Sequence, residues 1–244
     1  MSTVNEIVDI QVQDGTMPTY IYRPDDDQPH PAVIVIQEIF GVNANIRGIA
    51  ERFASEGYVA AAPDIFYRSG RLLDVPYADM DQARGLAQSV PGDGLIADLK
   101  TLVRYLQAYP NALQGRLGIT GYCFGGRVSF TAATTIPEIT AAAVHYGGGI
   151  AAAGGPFDQA SNITAPIIGL FGADDQNPSP DDVKKVDAEL TRLGKAHEFH
   201  TYEGAGHGFM CEDRGSYRED AANDAWGKTL AFFAKHLGAP MSAG

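Results

Sequence analysis

The sequence predicts an α/β fold, a mainly parallel sheet with an antiparallel N-terminal start and helices on both faces. Three observations carry this reading. Short β-branched runs alternate with longer amphipathic stretches along the whole chain, the pattern of repeated strand–helix units. The run AVIVI at 32–36 is apolar at every position, as suits a strand covered on both faces. Residues 6–23 read as two strands about the turn Asp14-Gly15, an antiparallel opening.

The elements follow in order. A helix is expected over 45–56, closed by Gly57, then a strand over 58–63. Helical patterns at 79–88 and 95–108 precede a strand at 116–123 and a helix starting near Gly125. Strands at 141–146 and 167–171, a helix at 180–193 and a strand at 197–202 come next. The last helix, 219–237, spaces Ala222, Trp226, Leu230, Phe233 and Leu237 along one face. The small-residue stretch GGGIAAAGG at 147–155 reads as a surface loop rather than a lid, and the terminal APMSAG as a frayed tail. No repeat or low-complexity linker divides the chain, so one domain over 1–244 is expected.

Composition narrows the function. The 244 residues carry a net charge of −12, which disfavours nucleic acid and anionic membrane surfaces as partners. No run of 18 apolar residues predicts a membrane span, and the N-terminus lacks the basic and apolar regions of a signal peptide. Two cysteines give no disulfide framework, so a cytoplasmic protein with reduced thiols is expected. A small-molecule substrate remains, with a monomer or small homo-oligomer as the assembly.

Chemistry gathers at Gly121-Tyr122-Cys123-Phe124-Gly125-Gly126, between an expected strand and an expected helix. A residue at the apex of so tight a turn is strained and presents its side chain above the sheet edge. The flanking glycines let strand and helix approach. The helix N-terminus favours a thiolate and a developing oxyanion. A cysteine nucleophile needs a base and a group to orient it. The loop GADDQNPSP after the strand at 167–171 offers Asp174 and Asp175, and Asp174 also suits turn formation. His207, in GAGHGF after the final strand, is the base best placed; His30, His145, His197, His200 and His236 fall in strands, in the last helix or early in the chain. His207 and Cys211 are four apart, but no second pair of ligands accompanies them, so no metal is expected.

These residues resemble the dienelactone hydrolase family of the α/β-hydrolase fold. QEIFGVN at 37–43, APDIFYR at 62–68, GYCFGG at 121–126, FGADD at 171–175 and GAGHGF at 204–209 match family motifs in order through nearly the whole chain. The resemblance implies hydrolysis of dienelactone (4-carboxymethylenebut-2-en-4-olide) to maleylacetate through an acyl-enzyme, without a cofactor. It makes Cys123, Asp175 and His207 the catalytic triad. Glu38 is implied to touch the resting thiol and to help activate it when substrate binds. The backbone N–H groups of Ile39 and Phe124 would form the oxyanion hole.

The chain departs from the family at the substrate. Of two arginines that hold the substrate carboxylate, one position carries Met80, with Arg84 a turn on, and the other carries Cys211, with Arg214 three residues beyond. A pocket aromatic is replaced by Ala87, while Phe40 and Tyr146 keep pocket positions. These changes keep a second reading open, a broad carboxylesterase or thioesterase with another substrate. A non-catalytic binding protein on the same fold is a third, and it would predict a broken triad.

Overall fold

The structure, a computed structural model, describes residues 1–238. The stretch 239–244, expected to be a frayed tail, lies outside the described residues. One eight-stranded sheet organises the chain, in the order β1-β2-β4-β3-β5-β6-β7-β8. Strands β1 (Thr3–Val12) and β2 (Gly15–Pro24) form the antiparallel opening, in register from Thr3 opposite Pro24 to Val12 opposite Gly15. β2 then pairs antiparallel with β4 (Val59–Pro63). From there the sheet is parallel, through β3 (His30–Ile36), β5 (Ala112–Tyr122), β6 (Ala141–His145), β7 (Ile167–Gly172) and β8 (His197–Tyr202).

Period-two alternation builds two cores from one strand. On β3, Ile34 and Ile36 pack with α3 (Gly92–Ala108), α4 (Phe124–Thr135) and α5 (Pro180–Arg192) on one face. Val33 and Val35 pack with α1 (Ala44–Ser55) and α6 (Glu219–Leu237) on the other. On α6 the expected stripe holds: Ala222, Trp226, Phe233 and Leu237 are buried and Leu230 is partly so. α2 (Met80–Ser89) buries only Ala83, against Phe40 and Val75.

Several starts differ from the sequence reading: β1 begins at Thr3 rather than 6 and β3 at His30 rather than 32, and two further shifts have a local cause. β5 begins at Ala112 rather than 116, because the exposed Gln114-Gly115-Arg116 interrupts its apolar pattern and shifts its register against β3. α3 starts at Gly92 rather than 95, since Gly92-Asp93-Gly94 carries no apolar side chain to reveal the first turn. Every chemically interesting residue lies just past the C-terminal end of a parallel strand: Glu38 after β3, Cys123 after β5, Tyr146 after β6, Asp175 after β7 and His207 after β8. That edge is where open α/β sheets bind their ligands.

Candidate active site

Cys123 sits at φ 57° and ψ −115°, a backbone conformation that costs a non-glycine residue about 1–3 kcal/mol. The surrounding structure enforces it. The Cys123 N–H donates to the His145 carbonyl at 3.0 Å, and its own carbonyl accepts the Gly126 and Arg127 N–H groups as α4 begins. A Cβ at Gly121 would run into the Gly125 carbonyl, and one at Gly125 into the Ile36 carbonyl. The glycines are therefore required by close approach. The N–H groups of Ile39 and Phe124 donate to no other group among the described residues; at Phe124, the first residue of α4, the helix itself offers no acceptor.

His207 Nδ1 lies 2.9 Å from Asp175 Oδ2. Asp175 is buried, and its Oδ1 accepts the Asn177 N–H at 2.8 Å. Asp174 instead ties its loop through its backbone N–H to Ala205. Burial alone would drive the His207 imidazolium to release its proton. The hydrogen bonds and charges of Asp175 and Cys123 outweigh that and hold its pKa up at about 10. Tyr146, at φ 38° and buried, packs edge-on to the His207 ring at 5.2 Å. His145 behaves differently. It stacks on Tyr122 at 4.4 Å with both ring nitrogens unpartnered, and burial drops its pKa to about 3, so it is a neutral core residue.

Across the site, Glu38 is 2% exposed and its Oε1 lies 3.4 Å from Arg214 Nη1. Burial raises its pKa, opposed by Arg214, His207 and the Tyr146 hydroxyl. Its Oε2 has no partner of sound hydrogen-bond geometry, and no hydrogen bond joins Glu38 to Cys123. Arg214 does reach back into the site. Its guanidinium lies over Phe40 at 5.6 Å and Tyr77 at 6.0 Å, two rings in edge contact at 4.7 Å.

Sequence reasoning missed the support beneath Arg214. The Tyr77 hydroxyl accepts hydrogen bonds from Asn43 Nδ2 at 2.9 Å and from the buried Cys211 thiol at 3.1 Å. Asn43 also caps α1 by accepting the Ile46 N–H. Tyr77 reaches this place because the Val75 N–H donates to Phe40 O at 3.0 Å. Only an Asn immediately before a helix, and a Tyr after a proline, mark these positions in the sequence.

The model of the dienelactone hydrolase family matches residues 17–237. The chain belongs to that family. With it the chain is a hydrolase of the α/β-hydrolase fold. A relative from Escherichia coli K12 is 36% identical over 236 residues, covering 94% of this chain and 86% of its own. Another, from Synechocystis, is 34% identical over 238 residues, covering 95% and 96%. Both are named "Putative carboxymethylenebutenolidase". The crystal structure of a dienelactone hydrolase from Klebsiella pneumoniae, named putative like them, superposes with TM-score 0.87 at 34% identity, over 97% of this chain and all of the other.

Within this family member the departures from the dienelactone pattern have definite places. Met80 packs against the small cluster of Phe40, Val75 and Ala83, and Arg84 lies on the exposed side of α2 without an ion pair among the described residues. Cys211 supports Tyr77. Ala87 opens onto a cleft of about 860 Å³ that runs from Phe124 between α3 and α4. The stretch 147–155, read as a surface loop, forms the cleft's far wall from Gly149 onward, though 152–154 remain exposed. It is tied to the acid loop, because the Gly149 N–H donates to Asn177 Oδ1 at 3.1 Å. Among the described residues no cluster of three His, Cys, Asp or Glu could hold a metal ion, and no helix is long and apolar enough to cross a membrane.

Proposed function

We propose that the chain hydrolyses an ester or lactone through Cys123, with His207 as proton carrier and Asp175 as its orienting carboxylate. The observation that carries this is geometric: His207 is hydrogen-bonded at 2.9 Å to the buried Asp175, across from a cysteine on a strained turn at the start of α4. The Cys123 thiolate attacks the carbonyl carbon, and the displaced electron pair collects on oxygen, facing the Ile39 and Phe124 N–H groups. As the C–O bond breaks, His207 gives its proton to the leaving oxygen, leaving a thioester on Cys123. The neutral ring then takes a proton from water, whose oxygen attacks the thioester. The thiolate departs and the imidazolium is restored.

Dienelactone, opened to maleylacetate, is the substrate best matched to Arg214, which can receive its carboxylate in place of Glu38. A carboxylesterase for longer esters is the second reading, favoured by the open cleft beside Phe124. Cys123→Ala is expected to lower hydrolysis of 4-nitrophenyl acetate and of dienelactone by at least about 10³-fold with an unchanged circular dichroism spectrum. Full activity in that variant would overturn the assignment. Turnover of aryl esters with untouched dienelactone would select the second reading.

A further inference from the structure

The cleft beside Phe124 lies outside the cluster of Cys123, His207 and Glu38, yet it adjoins it. Phe124 belongs to both: its backbone N–H faces the place assigned to the oxyanion, and its ring lines the cleft. Ala87, Val90, Leu95, Ile96 and Val128 make the floor apolar. At about 860 Å³ the cleft is within the range of small-molecule sites and larger than a five-membered lactone needs.

Its charge differs from that of the rest of the molecule. The chain carries −12, whereas this cleft is lined by two cations, Arg127 and Lys100, against one carboxylate, Asp93. Lys100 and Asp93 are exposed, and neither forms an ion pair among the described residues. Arg127 is half-buried. It lies one helical turn beyond Cys123, its N–H donating to the Cys123 carbonyl at 3.3 Å. Its guanidinium stacks on the Phe124 ring at 5.2 Å, and no carboxylate or carbonyl among the described residues accepts from it. Stacking fixes the plane of an arginine while leaving its N–H edge free for a bidentate anion.

We propose that this cleft takes the body of an extended ester that bears a carboxylate remote from the scissile carbonyl, with Arg127 binding that carboxylate. The apolar floor accepts a short aliphatic or aryl spacer between the two ends. The inference rests on the ester-hydrolase reading and names the substrate class of its second form: monoesters of dicarboxylic acids. Arg127 is then the specificity-determining residue, on the cleft side of Phe124.

The test compares the 4-nitrophenyl monoester of adipic acid with 4-nitrophenyl hexanoate, which matches it in length and lacks the charge. In Arg127→Gln the ratio of kcat/KM for the charged over the neutral ester is expected to fall about tenfold, chiefly through KM. Arg127→Lys should restore most of it. Ala87→Trp, which fills the cleft, should depress both long esters relative to 4-nitrophenyl acetate. Calorimetric titration with adipate needs no hydrolysis and is expected to show binding to wild type and to Cys123→Ala, weakened about tenfold by Arg127→Gln. An unchanged ester ratio in Arg127→Gln overturns the proposal. So does adipate that fails to bind wild type, or that binds Arg127→Gln as well as wild type, whichever way the Cys123→Ala assay falls.

Discussion

The two walls of the site are held by different physics. On the Cys123–His207–Asp175 wall each residue is the first or second polar group past a parallel strand; backbone groups fix Cys123 through His145 O and Asp175 through the Asn177 N–H, and Asp175 in turn holds His207. Glycine contacts leave the Cys123 turn no alternative geometry. The Glu38–Arg214 wall is built of side chains from three segments, stacked and hydrogen-bonded on one another: Arg214 on Phe40 and Tyr77, and Tyr77 on Asn43 and Cys211. A wall fixed by backbone should lose chemistry without losing fold when a side chain changes. A wall fixed by side chains should lose both.

The largest expected effect tests the first half. Asp175→Asn keeps the shape and burial of the side chain but removes the charge that holds the His207 proton. We expect kcat to fall roughly 10³–10⁴-fold, as for other orienting carboxylates, with an unchanged circular dichroism spectrum and a urea midpoint that is lowered at pH 7 and approaches wild type toward pH 10. The His207 ring, followed by NMR, should titrate well below the wild-type value of about 10. The sign for stability follows from the same shift. The folded ring binds its proton more tightly than an unfolded histidine near 6.5, so its contribution is whole below about pH 6.5. It declines as pH rises and is gone above about 10. Wild type should therefore lose stability from pH 7 to 10 more steeply than Asp175→Asn. Equal slopes, or a rate that survives the substitution, would break the comparison on this side.

The second effect is smaller and lies on the other wall. Arg214→Met keeps much of the stacking on Phe40 and strands the Glu38 carboxylate, which is 2% exposed. Breaking a buried pair in this way costs about 3 kcal/mol, read as a lowered urea midpoint at pH 8. Burial already raises the Glu38 pKa, so protonation can relieve the stranded charge. The loss should shrink as pH falls toward 5, and Glu38→Gln added to Arg214→Met should recover much of it at pH 8. A deficit independent of pH would mean that stacking on Phe40 and Tyr77, rather than charge, holds this wall.

The same division explains what could be read from the sequence. The order of strands and helices, the turn at Gly121-Tyr122-Cys123-Phe124-Gly125 and the loops bearing Asp175 and His207 were legible because each is local. A buried strand announces itself by its apolar run and a tight turn by its glycines, and the residue of interest follows at once. Arg214 was named through the family resemblance, as the arginine three residues beyond Cys211, and its ion pair with Glu38 spans 176 positions. Tyr77 and Asn43 were not found, because a hydrogen bond across 34 positions has no periodic trace. Cys211 was noticed as a replaced arginine, while its use as a donor to Tyr77, 134 positions away, belongs to tertiary structure. The wall from 149 to 155 was taken for ordinary surface for a similar reason: small residues give no sign of what they pack beside.

The smallest effect sharpens the comparison most. Tyr77→Phe keeps the ring under Arg214 and removes only the hydroxyl that accepts from Asn43 and Cys211. Two donors then lose one shared acceptor. Asn43 keeps its Oδ1 bond to the Ile46 N–H, so α1 should stay capped. The cost should be about 1–2 kcal/mol, measured as a shift in urea midpoint. The kinetic consequence distinguishes support from bystander. If Tyr77 holds Arg214 where it meets Glu38 and a substrate carboxylate, KM for dienelactone should rise several-fold while kcat for 4-nitrophenyl acetate, which carries no carboxylate, moves little. A stability loss with both kinetic constants intact would place the hydroxyl in the packing alone. Arg214 would then owe its position to Phe40 and Glu38, and the side-chain wall would be shallower than its hydrogen bonds suggest.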